Sequence, residues 1–505
     1  METYDDEIDA PPLATGVAGV DDILRGGLSP DCLYLVSGEP GAGKTTFAMQ
    51  FLLEGVRAGE PCLYITLSES KKEIRKVARS HGWDLSALSI AELIPAEHNL
   101  SVEAQLTVFN PSELELGETT EAMIAAVNQY KPRRVVIDSL SELRLVAQNS
   151  LRYRRQILAL KQFFAGCDCT VLMLDDGTAG ATDGQVESIA HGVIVLEHLA
   201  NQYGAERRRL RVTKMRGVHF RGGFHDFTIR RGGLDVFPRL VASEHHEPFE
   251  DVDLASGHKE LDLLLGGGLP LGTSTLLLGQ AGTGKSTVAT QFAVAAADNG
   301  QRAAMYVFDE NIGTFRSRSR KLGIKVDPHM ESGLLSVRQI DPAELSSGEL
   351  ASNIRHAVDG TDAAGIPAKV IVIDSLNGYL NAMPEEKFLT AQLHELLAYL
   401  GQKGVVTILT VTQSGMVGHM QSPVDTTYLA DNVILFRFFE SRGTVRRAIS
   451  VVKKRSGKHE LTIRELSVDG NGIAIGPPLD KFQGVLTGVP TYLGTENDLK
   501  KPTDG

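Results

Sequence analysis

At 505 residues, 42% hydrophobic and 23% charged, the chain is too long for one domain and too apolar to be largely disordered. Its 51 Lys and Arg against 63 Asp and Glu leave a formal charge of -12 and a pI near 5.7, which argues against a protein built to coat nucleic acid. Four cysteines are too few for a disulfide scaffold, and no uncharged apolar run reaches the roughly 18 residues of a membrane helix, so reduced thiols and a cytoplasmic location are expected.

The acidic start Met1-Glu2-Thr3-Tyr4-Asp5-Asp6-Glu7 does not read as a signal peptide. The first predicted strand, Leu33-Tyr34-Leu35-Val36, runs into Gly38-Glu39-Pro40-Gly41-Ala42-Gly43-Lys44-Thr45-Thr46 and then a helical stretch. Phosphate oxygens need many converging N–H donors. Glycines let the backbone wrap them, and a following helix N-terminus adds partial positive charge. Lys44 is expected to reach the β/γ-phosphates of ATP and Thr45 to hold Mg²⁺. A second strand, Cys62 to Leu67, leads to Glu69, a candidate for positioning or activating water. The continuous apolar run Val135 to Ile137 predicts a strand buried on both faces, ending at Asp138, placed as a carboxylate of the magnesium shell.

A basic run follows: Arg207-Arg208-Arg209-Leu210-Arg211, then Lys214 and Arg216. It reads as a solvated strand face, as DNA-binding loops, or as cations reaching the γ-phosphate held by a neighbouring subunit. Alternation of Arg with Leu and Val favours an ordered strand, and recurrence at one offset from the glycine loop ties it to the nucleotide.

The second half repeats the first. Gly279-Gln280-Ala281-Gly282-Thr283-Gly284-Lys285-Ser286-Thr287 follows the strand Thr273 to Leu278, with Ser286 as the metal-side hydroxyl. The strand Ala304 to Phe308 ends at Asp309 and Glu310, two adjacent carboxylates where the first half has one. Val370 to Ile373 ends at Asp374, and Arg446-Arg447 precedes Lys453, Lys454 and Arg455. The loop lysines are 241 residues apart, the strand-end aspartates 236 and the basic runs 239. One order at a nearly constant offset means tandem duplication. The expected units are 1–243 and 256–480, joined by a polar linker 244–255 and followed by a loop and tail, 481–505. His245 and His246 are expected to be solvated linker residues. Apolar runs alternating with amphipathic stretches predict an α/β fold, a mainly parallel sheet flanked by helices in each half.

Adding Ala78-Arg79-Ser80-His81-Gly82-Trp83-Asp84-Leu85, Lys214-Met215-Arg216-Gly217, Ile463-Arg464-Glu465 and Phe482 to Pro490, the pattern resembles the KaiC family of RecA-like P-loop ATPases. This clock-protein group has two fused ATPase domains, and the resemblance spans residues 14 to 494. It implies a double-ring homohexamer with ATP between subunits and slow ATPase activity in the first ring. In the second it implies serine/threonine autokinase and autophosphatase activity. A KaiB-like protein or a signalling kinase is the implied partner; membrane and nucleic acid are not expected. Glu69 matches a catalytic glutamate and Ser80 an adenine-side residue. Asp309 and Glu310 match the paired carboxylates of the second ring, Glu310 also as a metal ligand. Lys214, Met215, Arg216, Gly217, Lys453, Lys454 and Arg455 match the segments that touch a neighbour's phosphates. The chain departs from the family at Ser68, where another glutamate is usual, at Leu322 and at Asn381. Thr427-Tyr428 replaces a Ser-Thr acceptor pair, which makes Thr427 the expected acceptor and Thr426 a secondary one. Two alternatives stand beside this: a RecA- or helicase-like DNA-dependent ATPase, and a nucleotide-gated scaffold without autokinase activity.

Overall fold

In the computed structural model, which describes residues 11–93, 111–177, 184–200, 204–381, 389–413, 428–487 and 490–494, the chain divides into two units, Met1–Arg239 and Leu240–Gly505. The first unit starts with α1 (Ala18–Ile23), β1 (Leu33–Gly38), α2 (Lys44–Arg57), β2 (Cys62–Thr66), α3 (Lys71–His81) and β3 (Ser89–Glu92). There follow α4 (Pro111–Tyr130), β4 (Arg134–Asp138), α5 (Leu140–Ala147), α6 (Ser150–Ala165), β5 (Thr170–Asp175), α7 (Gly184–Ile189) and β6 (Gly192–Leu199). Three further strands, β7 (Arg207–Met215), β8 (His225–Arg230) and β9 (Gly233–Phe237), complete it.

The nine strands form one sheet in the order β3-β2-β4-β5-β1-β6-β7-β8-β9. The run from β3 to β6 is parallel, and β7 to β9 add to it antiparallel. Helices cover both faces, which is why β2 and β4 are buried throughout and apolar over residues 62–65 and 135–137. The two-residue period of the strand sorts the side chains. Tyr34 and Val36 of β1 pack with Phe47, Phe51 and Leu52 of α2; Leu33 and Leu35 pack with Leu143, Ile157 and Leu160 on the other side. Ser70 and Glu73 form a reciprocal capping box at the start of α3, and Gly82 closes the helix at φ +77.

The second unit repeats the plan. It opens with β10 (Asp253–Leu254), α8 (Lys259–Leu265), β11 (Leu269–Pro270), β12 (Ser274–Gly279), α9 (Lys285–Asp298), β13 (Arg302–Val307), α10 (Ile312–Lys321) and α11 (Val326–Glu331). Next come β14 (Leu335–Gln339), α12 (Ser347–Asp359), β15 (Ala368–Asp374), α13 (Leu376–Asn381), α14 (Leu389–Gln402) and β16 (Val406–Thr412). The chain continues through β17 (Asn432–Ser441), β18 (Thr444–Lys454), β19 (Arg464–Asp469), β20 (Gly472–Pro478), β21 (Phe482–Gln483) and β22 (Thr491–Tyr492). Strand order is β14-β13-β15-β16-β12-β17-β18-β19-β20, the same as in the first unit. Both basic runs are ordered strands, β7 and β18, rather than loops.

The segment expected as a linker packs on the second unit. Lys403 pairs with Glu247 and with Asp359, and His245 meets Tyr399 edge-on with ring centres 5.1 Å apart. Of the two histidines expected in solvent, His246 is exposed and His245 is half-buried, its imidazole held below its usual pKa by that burial and by the cations Arg355 and Lys403.

Candidate nucleotide sites

Each glycine loop joins the C-terminal end of a central strand to a helix. The sheet needs glycine there. A Cβ on Gly38 would lie 2.4 Å from the Leu196 carbonyl oxygen, and one on Gly279 2.3 Å from that of Phe436. Gly43 and Gly284 take φ of +105 and +102, and neither α2 nor α9 has a side-chain cap. The first-turn N–H groups of both helices are therefore available to an anion.

Lys44 and Lys285 are buried and fold back over their loops. The Lys44 ammonium donates to the carbonyls of Gly38 (2.8 Å) and Glu39 (3.0 Å), that of Lys285 to Gly279 (2.9 Å) and Gln280 (2.7 Å). Parallel pairing brings the strand-end aspartates alongside. Thr45 Oγ1 donates to Asp138 at 3.0 Å and Ser286 Oγ to Asp374 at 3.1 Å. Burial holds both carboxyls above their ordinary range, against hydrogen bonds from Tyr64 and Thr45 to Asp138 and from Thr410 and Ser286 to Asp374. A hydroxyl beside a carboxylate is a hard-oxygen donor set that suits Mg²⁺ completed by phosphate oxygens. Thr46 and Thr287, next along each helix, are buried; Ala42 and Thr283 are fully so.

The halves differ around this shared frame. Burial, then the charges of Asp138 and Glu73, raises the Glu69 carboxyl, and its buried Oε2 has no hydrogen-bond partner. In the second site Ser375 Oγ donates to Asp309 at 2.6 Å, while Glu310 is bound by Arg318 at 2.9 Å. Lys44 has an ion-pair partner, Asp176, at 3.0 Å. Lys285 has Asp374 as the one charge opposing its burial, and its ammonium is pushed down to about 8. Burial alone would raise Asp176, but hydrogen bonds from Ser141 and Lys44 bring it below the carboxylate range.

The basic strands divide by register. Lys214 on β7 lies opposite Val193 of β6, which is level with Leu35 of β1, three residues before the loop begins. Three strand residues span about 10 Å. Lys214 then reaches farther away, to the carbonyls of Glu187, Ser188 and Ala190, and Arg216 to that of Ser188. Lys453 repeats this opposite Val433, its ammonium 2.7 Å from the Ala430 carbonyl, and Arg455 pairs with Asp431 at 2.9 Å. These cations sit at the sheet edge away from their own loops. Met215 and Lys454 turn elsewhere: Met215 joins the apolar cluster of α2, and Lys454 donates to the Leu265 carbonyl at 2.6 Å. Gly217 follows at φ +70. At the other end of β18, Arg447 donates to the Gly282 carbonyl of its own loop at 3.1 Å.

Ser80 lies on α3, its hydroxyl bonded to the Val77 carbonyl at 2.7 Å. Thr426 and Thr427 lie outside the described residues, between β16 and β17. Tyr64, Thr410, Arg318 and Asp176 were not singled out by sequence. Tyr64 is a polar-tipped side chain among the apolar residues of β2, the one signal that could have flagged it; Thr410 shares its strand with Thr407 and Thr412 and had none.

Comparison with known proteins agrees with this frame. The family model described as "ATPase: KaiC" matches twice, over residues 13–241 and 254–480. The chain belongs to the KaiC ATPase family. Its KaiC relatives include the "Circadian clock oscillator protein KaiC" of Acaryochloris marina, 28% identical over 98% of this chain and 94% of that protein. The protein of the same description from Synechococcus elongatus is 29% identical over 95% and 92%. The "Circadian clock protein KaiC3" of Synechocystis sp. is 27% identical over 95% and 94%. Among the described residues no helix is long and apolar enough to cross a membrane.

Proposed function

We propose that this KaiC-family ATPase binds Mg-ATP at both sites and assembles through it into a double-ring homohexamer. Slow hydrolysis belongs to the first domain and serine/threonine autophosphorylation, with its reversal, to the second. The observation that carries this reading is the register of β7 and β18. Lys214, Arg216, Lys453 and Arg455 lie at the edge opposite their own glycine loops, where a neighbouring copy could present its phosphates to them.

Within each site Thr45 with Asp138, and Ser286 with Asp374, would hold the magnesium ion, which supplies charge neutralisation for the β- and γ-phosphates. Glu69 orients water in the first site. In the second, Arg318 occupies Glu310, so Asp309, fixed by Ser375, takes the proton from an incoming hydroxyl, with Thr427 the principal acceptor and Thr426 the secondary one. A clock-type signalling role is supported by the relatives' descriptions as circadian clock proteins, and its proposed partner is a KaiB-like protein or a signalling kinase.

Nucleotide acting as interface glue stabilises the assembly by mass action. Light scattering with a non-hydrolysable ATP analogue should therefore give a hexamer, and Lys214→Ala with Arg216→Ala should shift it toward smaller species. A monomer under every nucleotide condition would sink the reading.

A further inference from the structure

The two halves do not draw their carboxylates from the same strands. After β13 the second half has Asp309 and Glu310; after β2 the first has Ser68 and Glu69. The serine that follows each strand-end aspartate reveals where the missing acid has gone. In the second site Ser375 Oγ donates to Asp309 Oδ2 at 2.6 Å. Its counterpart Ser139 has no acid at position 68 to meet, and its Oγ lies 3.5 Å from Asp176 Oδ2.

Asp176 directly follows β5, the neighbour of β1 on the side of β4. Its Oδ1 is 3.0 Å from the Lys44 ammonium, and its backbone N–H donates to Ser141 Oγ at 3.3 Å. The carboxylate is thus held at the lysine that marks the phosphate site. The second half has no acid there. Ser37 pairs with Asp175 and Leu278 with Val411, so the residue matching Asp176 is Thr412.

We propose that Asp176 is the second catalytic carboxylate of the first ATPase site, supplied from the end of β5 instead of the end of β2. This rests on the reading that the first domain hydrolyses ATP. Asp176 and Glu69 together orient the attacking water. Its oxygen bonds to the γ-phosphorus as the bond from that phosphorus to the β–γ bridging oxygen breaks. The electron pair leaves with ADP, and the proton the water gives up ends on the released inorganic phosphate. Lys44 bridges Asp176 to the phosphates, trading its two loop carbonyls for phosphate oxygens.

The test measures bound nucleotide, KM and kcat on the full chain carrying Lys285→Ala, so that turnover reports the first site. Adding Asp176→Asn should lower kcat on the order of 10²-fold while nucleotide occupancy and KM stay within about 3-fold. Ser68→Glu in that background, which restores an acid at the β2 position, should recover part of the lost turnover. Full turnover with tighter nucleotide binding in Asp176→Asn would overturn the proposal, leaving Asp176 as a counter-ion of Lys44. Loss of bound nucleotide would also overturn it, by making the role structural. A parent chain that binds nucleotide at the first site but never hydrolyses it would instead refute the underlying reading, and the proposal with it.

Discussion

His225 shows how a single proton position is written into the fold. The residue is fully buried; its Nδ1 accepts the Arg239 N–H at 2.8 Å, so Nε2 carries the hydrogen and donates it to the Arg221 carbonyl at 2.9 Å. A second proton would break the bond from Arg239 and place a cation in the core. Burial accordingly pushes the imidazole down to about 4 from 6.5. The unfolded chain takes up that proton first as pH falls. The stabilisation is complete above about 6.5 and is lost on the way down to 4. Between pH 7 and 5 this is worth about 2 kcal/mol. Urea unfolding of the first unit should weaken by that amount over the interval, and His225→Gln, less stable at pH 7, should lose that part of the slope. An equal slope in the variant would show that other groups carry it. Legibility at this scale was uneven. Lys44, Thr45 and Asp138 were visible because a phosphate cradle needs its residue types at fixed spacing. Tyr64 and Asp176 were not, because they meet the site only through the strand order β2-β4-β5-β1, which no local pattern encodes.

Elements hold their neighbours through a few buried charges. Arg302, at the first position of β13, is 1% exposed and meets Asp362, 6% exposed, at 2.6 Å, with the Ile366 carbonyl as a further acceptor. The pair ties the start of a central strand to the loop before β15. Arg302→Ala would leave the Asp362 carboxylate with only the more distant Arg338, at 3.4 Å, as its cation, at a cost toward the lower end of about 3–5 kcal/mol. Replacing both, as Arg302→Met with Asp362→Leu, should recover most of it. Urea midpoints decide this, and a double variant no better than the single would show that the backbone contacts of Arg302 dominate. The strands themselves were legible, since continuous apolar runs mark burial on both faces. That the segment 244–255 packs on the second unit could not be read from its polar composition, because the docking depends on Lys403 and Tyr399, far away in sequence. The basic runs were recognised as strands, yet only pairing register separates Arg447, which touches its own loop, from Lys453, which cannot reach it.

For the whole molecule, duplication predicts two separable sites. Each of Lys44→Ala and Lys285→Ala removes the cation from one cradle, so purified protein should lose about half its nucleotide in either single variant and nearly all in the double. If the second domain is the kinase, transfer of label from γ-labelled ATP to Thr427 should vanish in Lys285→Ala and persist in Lys44→Ala. Retention of both nucleotides in either variant would contradict the two-site arrangement.

The moorings of Lys453 and Arg455 also set a direction for communication. Both cations are tied to Ala430 and Asp431, the two residues immediately before β17, and Asp431 in turn holds Ser274 at the start of β12. A phosphate arriving from another copy would compete with the Ala430 carbonyl and the Asp431 carboxylate for the same two cations. Gaining that phosphate would slacken the tie between the basic strand and the start of β17, and losing it would draw the tie taut. The start of β17, and through Ser274 the start of β12, would then sense a subunit's spent or fresh fuel from behind, without touching it.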